Sequence, residues 1–339
     1  MRVAVIGGTR FIGWAVVEDL AAAGHEVLVV HRGVHEPGPG DGVLAEVAHL
    51  HANRRELTGT AGAGLAAFAP EAVVDLCAMT GPDAEAVLAA VPRGRDPHLV
   101  VASSQDVYRA FGSILAGRVT DELPIDESSP VREAPLPRPR GGDGGWDYDE
   151  GAYEKLDVER AYLARGGTVL RLPFTYGERD TQRREEALLA RVRAGRGAIP
   201  VGPGTLLWSK GWVRDIAAAV RLTVQTPAAA GEILNLCELR TAPMDLWVRR
   251  VLAAAGVGER VELVRVPDEL VPPDLLLTRA YAQHLLVGSS RARQVLGWSD
   301  TDPVEAITRS VAWHLEHPPQ DSVFDPAADD RALAAATPA

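Results

Sequence analysis

Residues 1–20, MRVAVIGGTRFIGWAVVEDL, decide the fold. Val3, Ala4, Val5 and Ile6 make a short apolar run, two glycines follow, and a helix-like stretch begins at Phe11. Glycine lets a backbone approach a diphosphate or enter positive φ. The helix after it offers free N–H groups and the positive end of its dipole. Strand, glycine turn and helix in that order therefore form a phosphate-gripping elbow. The dinucleotide fingerprint would have glycines at Gly7, at position 10 and at Gly13, but position 10 is Arg10. That arginine bears on which cofactor the turn selects.

The pattern repeats outward from this elbow. HEVLVVHRG (25–33) reads as a strand closed by Gly33, 65–68 as helical, and EAVVDLCAM (71–79) as a strand. PDAEAVLAAV (82–91) is helical and HLVVASS (98–104) a strand. Apolar, β-branched runs between helical segments predict parallel strands covered on both faces. The expected fold class is α/β: a doubly wound parallel-sheet Rossmann domain, its ligand at the carboxyl ends of the strands. Residues 124–147, rich in Pro, Gly and charge, are expected to form a lid loop beside the site. A helix is expected through 147–167 and a strand over 168–177. The tail, 318–339, is expected to be loosely ordered apart from a short helix at 329–336.

Bulk properties narrow the function. The 339 residues are 46% hydrophobic with a net charge of −11, a balance that opposes a nucleic-acid partner. Cys77 and Cys237 are the two cysteines and suggest no disulfide framework. His49 and His51 would share one face of a strand, but two histidines make a weak metal site, and no metal is expected. No apolar run approaches the ~18 residues of a membrane helix. The N-terminal run passes straight into Gly-Gly-Thr, so no signal peptide is expected and a cytoplasmic setting is.

GGTRFIG, SSQDVY (103–108), KLDVE (155–159), LRLPFTYG (170–177) and GWVRDIA (211–217), in that order, resemble the extended and atypical short-chain dehydrogenases/reductases, which include the NAD(P)-dependent epimerases and dehydratases. The resemblance runs from Met1 to about His314. It implies an NAD(P) Rossmann domain with Gly7, Thr9, Arg10, Phe11, Ile12 and Gly13 at the cofactor. It also implies Asn53 and Arg54 at the adenine, and Cys77, Ala78, Ser103, Lys155 and Pro173 along the dinucleotide. The resemblance further implies that a smaller α/β C-terminal substrate domain completes the chain. The first domain is expected over 1–172 plus about 209–240, and the second over 173–208 and 241–317. NAD-selective sites carry an acid at the end of the second strand. This chain has His31 and Arg32 there. Arg10 and Arg32 suit a 2′-phosphate, so NADP(H) is expected over NAD(H), the latter remaining the alternative.

The family works with a serine or threonine, a tyrosine and a lysine. Ser104 and Lys155 match, but the tyrosine position, four before the lysine, is Gly151. On a helix through this region Tyr153 lies about 200° from position 151 and is expected to face away. Tyr148, two turns before Lys155 on the same face, is the expected substitute. Asp106, on the Ser104 face if the strand continues, is a second candidate for moving the proton. Thr175, Trp208, Lys210 and Arg214 are expected on the substrate side, with Trp208 stacking on a ring and Lys210 or Arg214 meeting an anionic group. The expected function is an NADP-dependent oxidoreductase or epimerase/dehydratase acting on a hydroxyl or keto carbon of a sugar nucleotide or a secondary-metabolite intermediate. The alternative is a catalytically impaired dinucleotide-binding protein with a regulatory or RNA-associated role. The family also implies a homodimer through the helices around Lys155.

Overall fold

The computed structural model describes residues 1–57, 59–91, 97–136, 152–320 and 324–336. In chain order the strands are β1 (Arg2–Ile6), β2 (Glu26–His31), β3 (Ala48–His51), β4 (Ala72–Asp75), β5 (His98–Ser104), β6 (Thr168–Leu172), β7 (Phe174–Tyr176), β8 (Ala198–Val201), β9 (Lys210–Trp212), β10 (Ile233–Asn235) and β11 (Glu262–Arg265). The α-helices are α1 (Phe11–Ala22), α2 (Gly59–Phe68), α3 (Gly81–Ala90), α4 (Arg109–Leu115), α5 (Lys155–Leu163), α6 (Glu186–Arg193), α7 (Val213–Gln225), α8 (Met244–Ala254), α9 (Ser290–Leu296), α10 (Pro303–Glu316) and α11 (Pro326–Ala336).

Seven strands make one parallel sheet in the order β10-β6-β5-β4-β1-β2-β3. Alternation along each strand sends its apolar residues to two separate cores. Val3, Val5, Val29 and Val74 pack with residues of α1 and α7. Ala4, Ile6, Val30 and Val73 pack with residues of α2, α3 and α5 on the other face. Both faces being covered explains why these strands read as unbroken apolar runs. The chain reverses between β1 and β4, and that switch point opens the crevice where such sheets take ligands.

Three expectations need correction. TVLRLPFTYG is two strands: proline has no N–H to give the ladder, so the run breaks at Pro173. β7 then leaves the large sheet and pairs with β9. The helix expected from residue 147 begins at Lys155, with Glu154 as its N-cap in an extended conformation. In the C-terminal region the short helix expected at 329–336 is present but begins three residues earlier, at Pro326, and is docked rather than loosely held. α11 carries Asp329, which is fully buried against Arg191 of α6. Residues 124–136 of the expected lid are described; residues 137–147 lie outside the described residues, as do Tyr148 and Gly151.

Candidate active site

The elbow after β1 is built by contact as much as by conformation. Gly7 has φ +89°, and a Cβ there would collide with the Cys77 thiol. A Cβ on Gly13 would collide with the Gly7 carbonyl oxygen and lie 2.8 Å from Gly8 Cα. Gly13 thus lets α1 press against the turn. Arg10 is the N-cap of α1 and supplies no side-chain cap. The first amides of the helix therefore keep no capping side chain, as a phosphate-binding end requires.

A pocket opens at this elbow. Gly7, Thr9, Arg10, Phe11, Ile12, Gly13, His31, Arg32, Asn53, Arg54 and Cys77 line it, so eleven of the expected cofactor residues come together. Ala78, Ser103, Lys155 and Pro173 are not among its lining. The Ser103 hydroxyl is instead turned into the β5–α5 interface, where it donates to Glu159 Oε1 at 2.5 Å. Arg54 packs on Asp75 (3.4 Å) and on the Cys77 sulfur rather than standing free for a base. Asn53 accepts the Arg55 amide at 3.0 Å and so caps a short turn. Thr181, Gln182 and Arg184, from the segment after β7, close the far wall. Sequence reading missed them, because only the fold brings that segment to the elbow.

One corner of the pocket is basic. Arg10, His31, Arg32 and His35 all line it. Among the described residues the only acid in the lining is Asp83, which is bonded to Arg55 at 3.2 Å. Burial pushes His35 down from its ordinary pKa, with Arg10 and Arg32 adding to the effect. His49 and His51 do share a face, as expected, and they meet His31. Both ring nitrogens of His31 and of His49 are taken up by protein partners, so these two rings form an imidazole network.

The chemistry-bearing residues gather at the end of β5. Ser104 ends the strand, and its Oγ accepts the Asp106 amide at 3.2 Å, which starts a tight 3-10 turn over 105–107. The strand does not continue through Asp106, as the alternation argument assumed. Asp106 nevertheless reaches the site, because Tyr153 donates its phenol hydrogen to Asp106 Oδ2 at 2.8 Å. The expectation that Tyr153 faces away fails for one reason: α5 starts two residues later, so no helical angle applies. Arg132 fixes that start. It grips the Glu154 carboxylate with two bonds (2.7 and 2.6 Å), while Glu154 accepts the Leu156 amide at 2.9 Å.

Lys155 follows, buried, donating to the carbonyls of Ala78 (2.6 Å) and Ala102 (3.0 Å). Burial pulls its pKa down to about 8, opposed by the nearby Asp106 carboxylate. The sequence holds two lysines, Lys155 and Lys210, among 35 basic residues. Where arginine fills nearly every cationic position, a retained buried lysine marks a place that needs a compact, titratable amine.

A buried layer holds these groups. Arg171 makes two bonds to Glu159 of α5 (3.0 and 2.8 Å) and lies over the Tyr108 ring, whose hydroxyl donates to Asn235 Oδ1 at 2.8 Å. Of the residues expected on the substrate side, Trp208 meets Phe111 and Phe174 edge-on (5.6 and 5.8 Å). The Lys210 ammonium donates to the Trp208 carbonyl at 3.0 Å and is buried between Phe174 and Trp247. Thr175 is buried, donating to the Pro173 carbonyl at 3.2 Å. Arg214 is not on this side at all. It lies on the face of α7 that meets α1, paired with Glu18 and over the Trp14 ring.

No family model matches the chain. It is 28% identical over 315 residues to a 3-diazoavenalumate denitrifying reductase of Streptomyces sp, covering 89% of this chain and 97% of that protein. It is 27% identical over 325 residues to the chloroplast stem-loop binding protein of 41 kDa b of Arabidopsis thaliana, covering 91% and 78%. Its structure is similar to that of dTDP-glucose 4,6-dehydratase from Bacillus anthracis in complex with NAD, with a TM-score of 0.68 at 14% identity over 94% and 97% of the two chains.

Proposed function

We propose that this chain, an extended short-chain dehydrogenase/reductase in its fold, is an NADP(H)-dependent oxidoreductase or epimerase/dehydratase acting at a hydroxyl or keto carbon. The observation that carries the reading is the meeting of the buried Lys155 with Asp106, Tyr153 and Ser104 beyond the glycine elbow. When bound, the nicotinamide dinucleotide gives or takes a hydride. Everything else falls to the chain's own residues. Gly7, Gly13 and the amides of α1 take the diphosphate. Arg10, His31 and Arg32 line the corner that would face the adenosine ribose, and two guanidinium groups there favour a 2′-phosphate. Ser104 orients the substrate oxygen. Tyr153 passes the proton to or from that oxygen and Asp106 holds the phenol in place, a role the sequence reading gave to Tyr148 or to Asp106 alone. Lys155 keeps a positive charge beside them at neutral pH.

The substrate class within this reading is a sugar nucleotide or a hydroxylated or keto intermediate of secondary metabolism, and the reductase named among the relatives favours the second. Two features support a binding-only protein instead: Gly151 at the motif tyrosine, and a relative named for stem-loop binding. The net charge of −11 opposes an RNA partner. A homodimer through the helices around Lys155 belongs to the same reading, and light scattering tests it. Among the described residues no helix is long and apolar enough to cross a membrane.

The deciding experiment titrates NADPH and NADH by fluorescence, then follows nicotinamide absorbance across a panel of carbonyl compounds and sugar nucleotides. NADPH binding tighter than NADH, with turnover of one panel member, is the expected result. Tight cofactor binding with no turnover on any member favours the binding-only reading. Affinity for neither nucleotide at millimolar levels overturns both.

A further inference from the structure

The imidazole network behind the basic corner has a direction. His49 Nε2 lies 2.8 Å from the Leu44 carbonyl oxygen, which can only accept, so Nε2 carries the hydrogen. In the neutral ring Nδ1 then accepts, and its partner at 2.9 Å is His31 Nε2, which must donate. His31 Nδ1 is left to accept the Gly33 amide at 3.2 Å. Each neutral ring is thus held in one tautomer, from Gly33 through His31 and His49 to Leu44. His51 crosses the His31 ring edge-on at 4.7 Å, and its Nε2 lies 2.8 Å from Glu36 Oε1. Strand register makes this possible: His31 of β2 pairs with His51 of β3, and His49 is two residues earlier on the same face.

We propose that His31, backed by His49 and His51, takes up a proton when a 2′-phosphate occupies this corner, so that affinity for NADP(H), but not for NAD(H), depends on pH. The inference rests on the cofactor reading above.

The charges around His31 set the sign. His49 and His51 face it from β3 and Glu36 from the segment after β2, while Arg10 and Arg32 act on His35 in the lining of the same pocket. Asp41, near Leu44, is spent on Arg179 at 2.8 Å. With no phosphate, burial and then His49 hold His31 below its ordinary pKa, and Glu36 opposes them only in part. His31 is therefore neutral at neutral pH. A dianion at the corner reverses the balance. A proton from solvent on His31 Nδ1 ends its acceptance of the Gly33 amide, leaves both that amide and the new Nδ1–H to donate to the phosphate, and adds a third cation to Arg10 and Arg32. Affinity then falls as pH rises, by at most about tenfold per pH unit for one linked proton. The phosphate's own protonation, near pH 6, acts the other way and weakens binding in acid. The two effects are separable above that value.

The test measures NADPH and NADH dissociation constants by fluorescence between about pH 6.5 and about pH 8, where the phosphate is mostly dianionic. NADPH should weaken by about three- to tenfold across the range while NADH stays within about twofold. His31→Gln should remove the slope. His51→Gln, at an exposed rim position with little bearing on folding, should reduce it. NADPH preferred over NADH with a flat ratio across the range overturns this inference and leaves the cofactor reading standing. So does a wild-type slope that survives in both variants. No preference for NADPH at any pH overturns the cofactor reading itself.

Discussion

Tyr153 and Asp106 are joined by one hydrogen bond, and both are buried beside an ammonium group. If the pair moves the substrate's proton, the phenol oxygen matters to turnover and not to cofactor grip. Tyr153→Phe should lower kcat by about 10²–10⁴, the usual worth of a positioned acid or base, with the NADPH dissociation constant unchanged within about twofold. Asp106→Asn should lower kcat by a smaller factor, since the amide still holds the phenol. Unchanged turnover in Tyr153→Phe would remove it from the chemistry. At this scale the sequence was readable wherever a backbone demand fixes the residue. Gly7 and Gly13 occupy the turn and the helix start where the sequence pattern put them. Tyr153 was hidden because a helical angle does not apply to a residue that precedes the first residue of α5, Lys155. The cause of the early stop, Arg132 gripping Glu154, lies 22 residues upstream and leaves no local pattern. Thr181, Gln182 and Arg184 were hidden for the same kind of reason: their part in the pocket is purely tertiary.

Strands β1, β2, β4 and β5 of the large sheet were legible because burial on both faces leaves a run of apolar, largely β-branched residues, whereas the three-residue β10 was not read from the sequence. The edge strand β3, AHLH, has no such run, and only its pairing with β2 makes it a strand. The junction of α6 and α10 was invisible for a related reason. Glu185, at the N-cap of α6, is fully buried and accepts from Ser310 of α10 at 2.6 Å, with His314 3.6 Å away. Burial, reinforced by Asp180, pushes its pKa up to about 7. A carboxyl whose folded pKa is raised binds its proton more tightly folded than unfolded. Its contribution to stability is complete below the unfolded value near 4.5 and is lost as pH rises through about 7. Glu185→Gln keeps the shape and the acceptor without the charge. It should match wild type near pH 4.5 and exceed it near pH 8, by up to about 3 kcal/mol in urea unfolding. A difference that is the same at both pH values would show that ionisation of Glu185 is not its source.

At the scale of the whole molecule, the chain end is tied back to its middle. Residues 326–336 are mostly alanine and charge, and such a composition reads as a weakly held tail because it offers little apolar surface. What holds α11 is polar and buried. Asp329 makes two bonds to Arg191 of α6 (2.8 and 2.7 Å), and both side chains are wholly shielded from solvent. Asp274 takes the remaining face of the guanidinium at 2.6 Å, and the Phe324 ring lies 5.0 Å from its centre. A buried ion pair adds little over an apolar replacement, but removing one partner strands the other charge, at a cost of about 3–5 kcal/mol. Asp329→Ala should therefore destabilise by about that amount in urea unfolding, less whatever Asp274 recovers through its own contact with Arg191. The double variant Asp329→Ala with Arg191→Leu should regain part of the loss, because no charge is then left buried. Neither change touches a residue lining the cofactor pocket, so NADPH affinity of the folded protein should stay within about twofold. If Asp329→Ala unfolds at the wild-type urea midpoint, α11 is an appendage and Arg191 is satisfied without it. If the double variant is no better than the single one, the cost lies in lost packing of α11 against β8 and β11 and not in the stranded guanidinium.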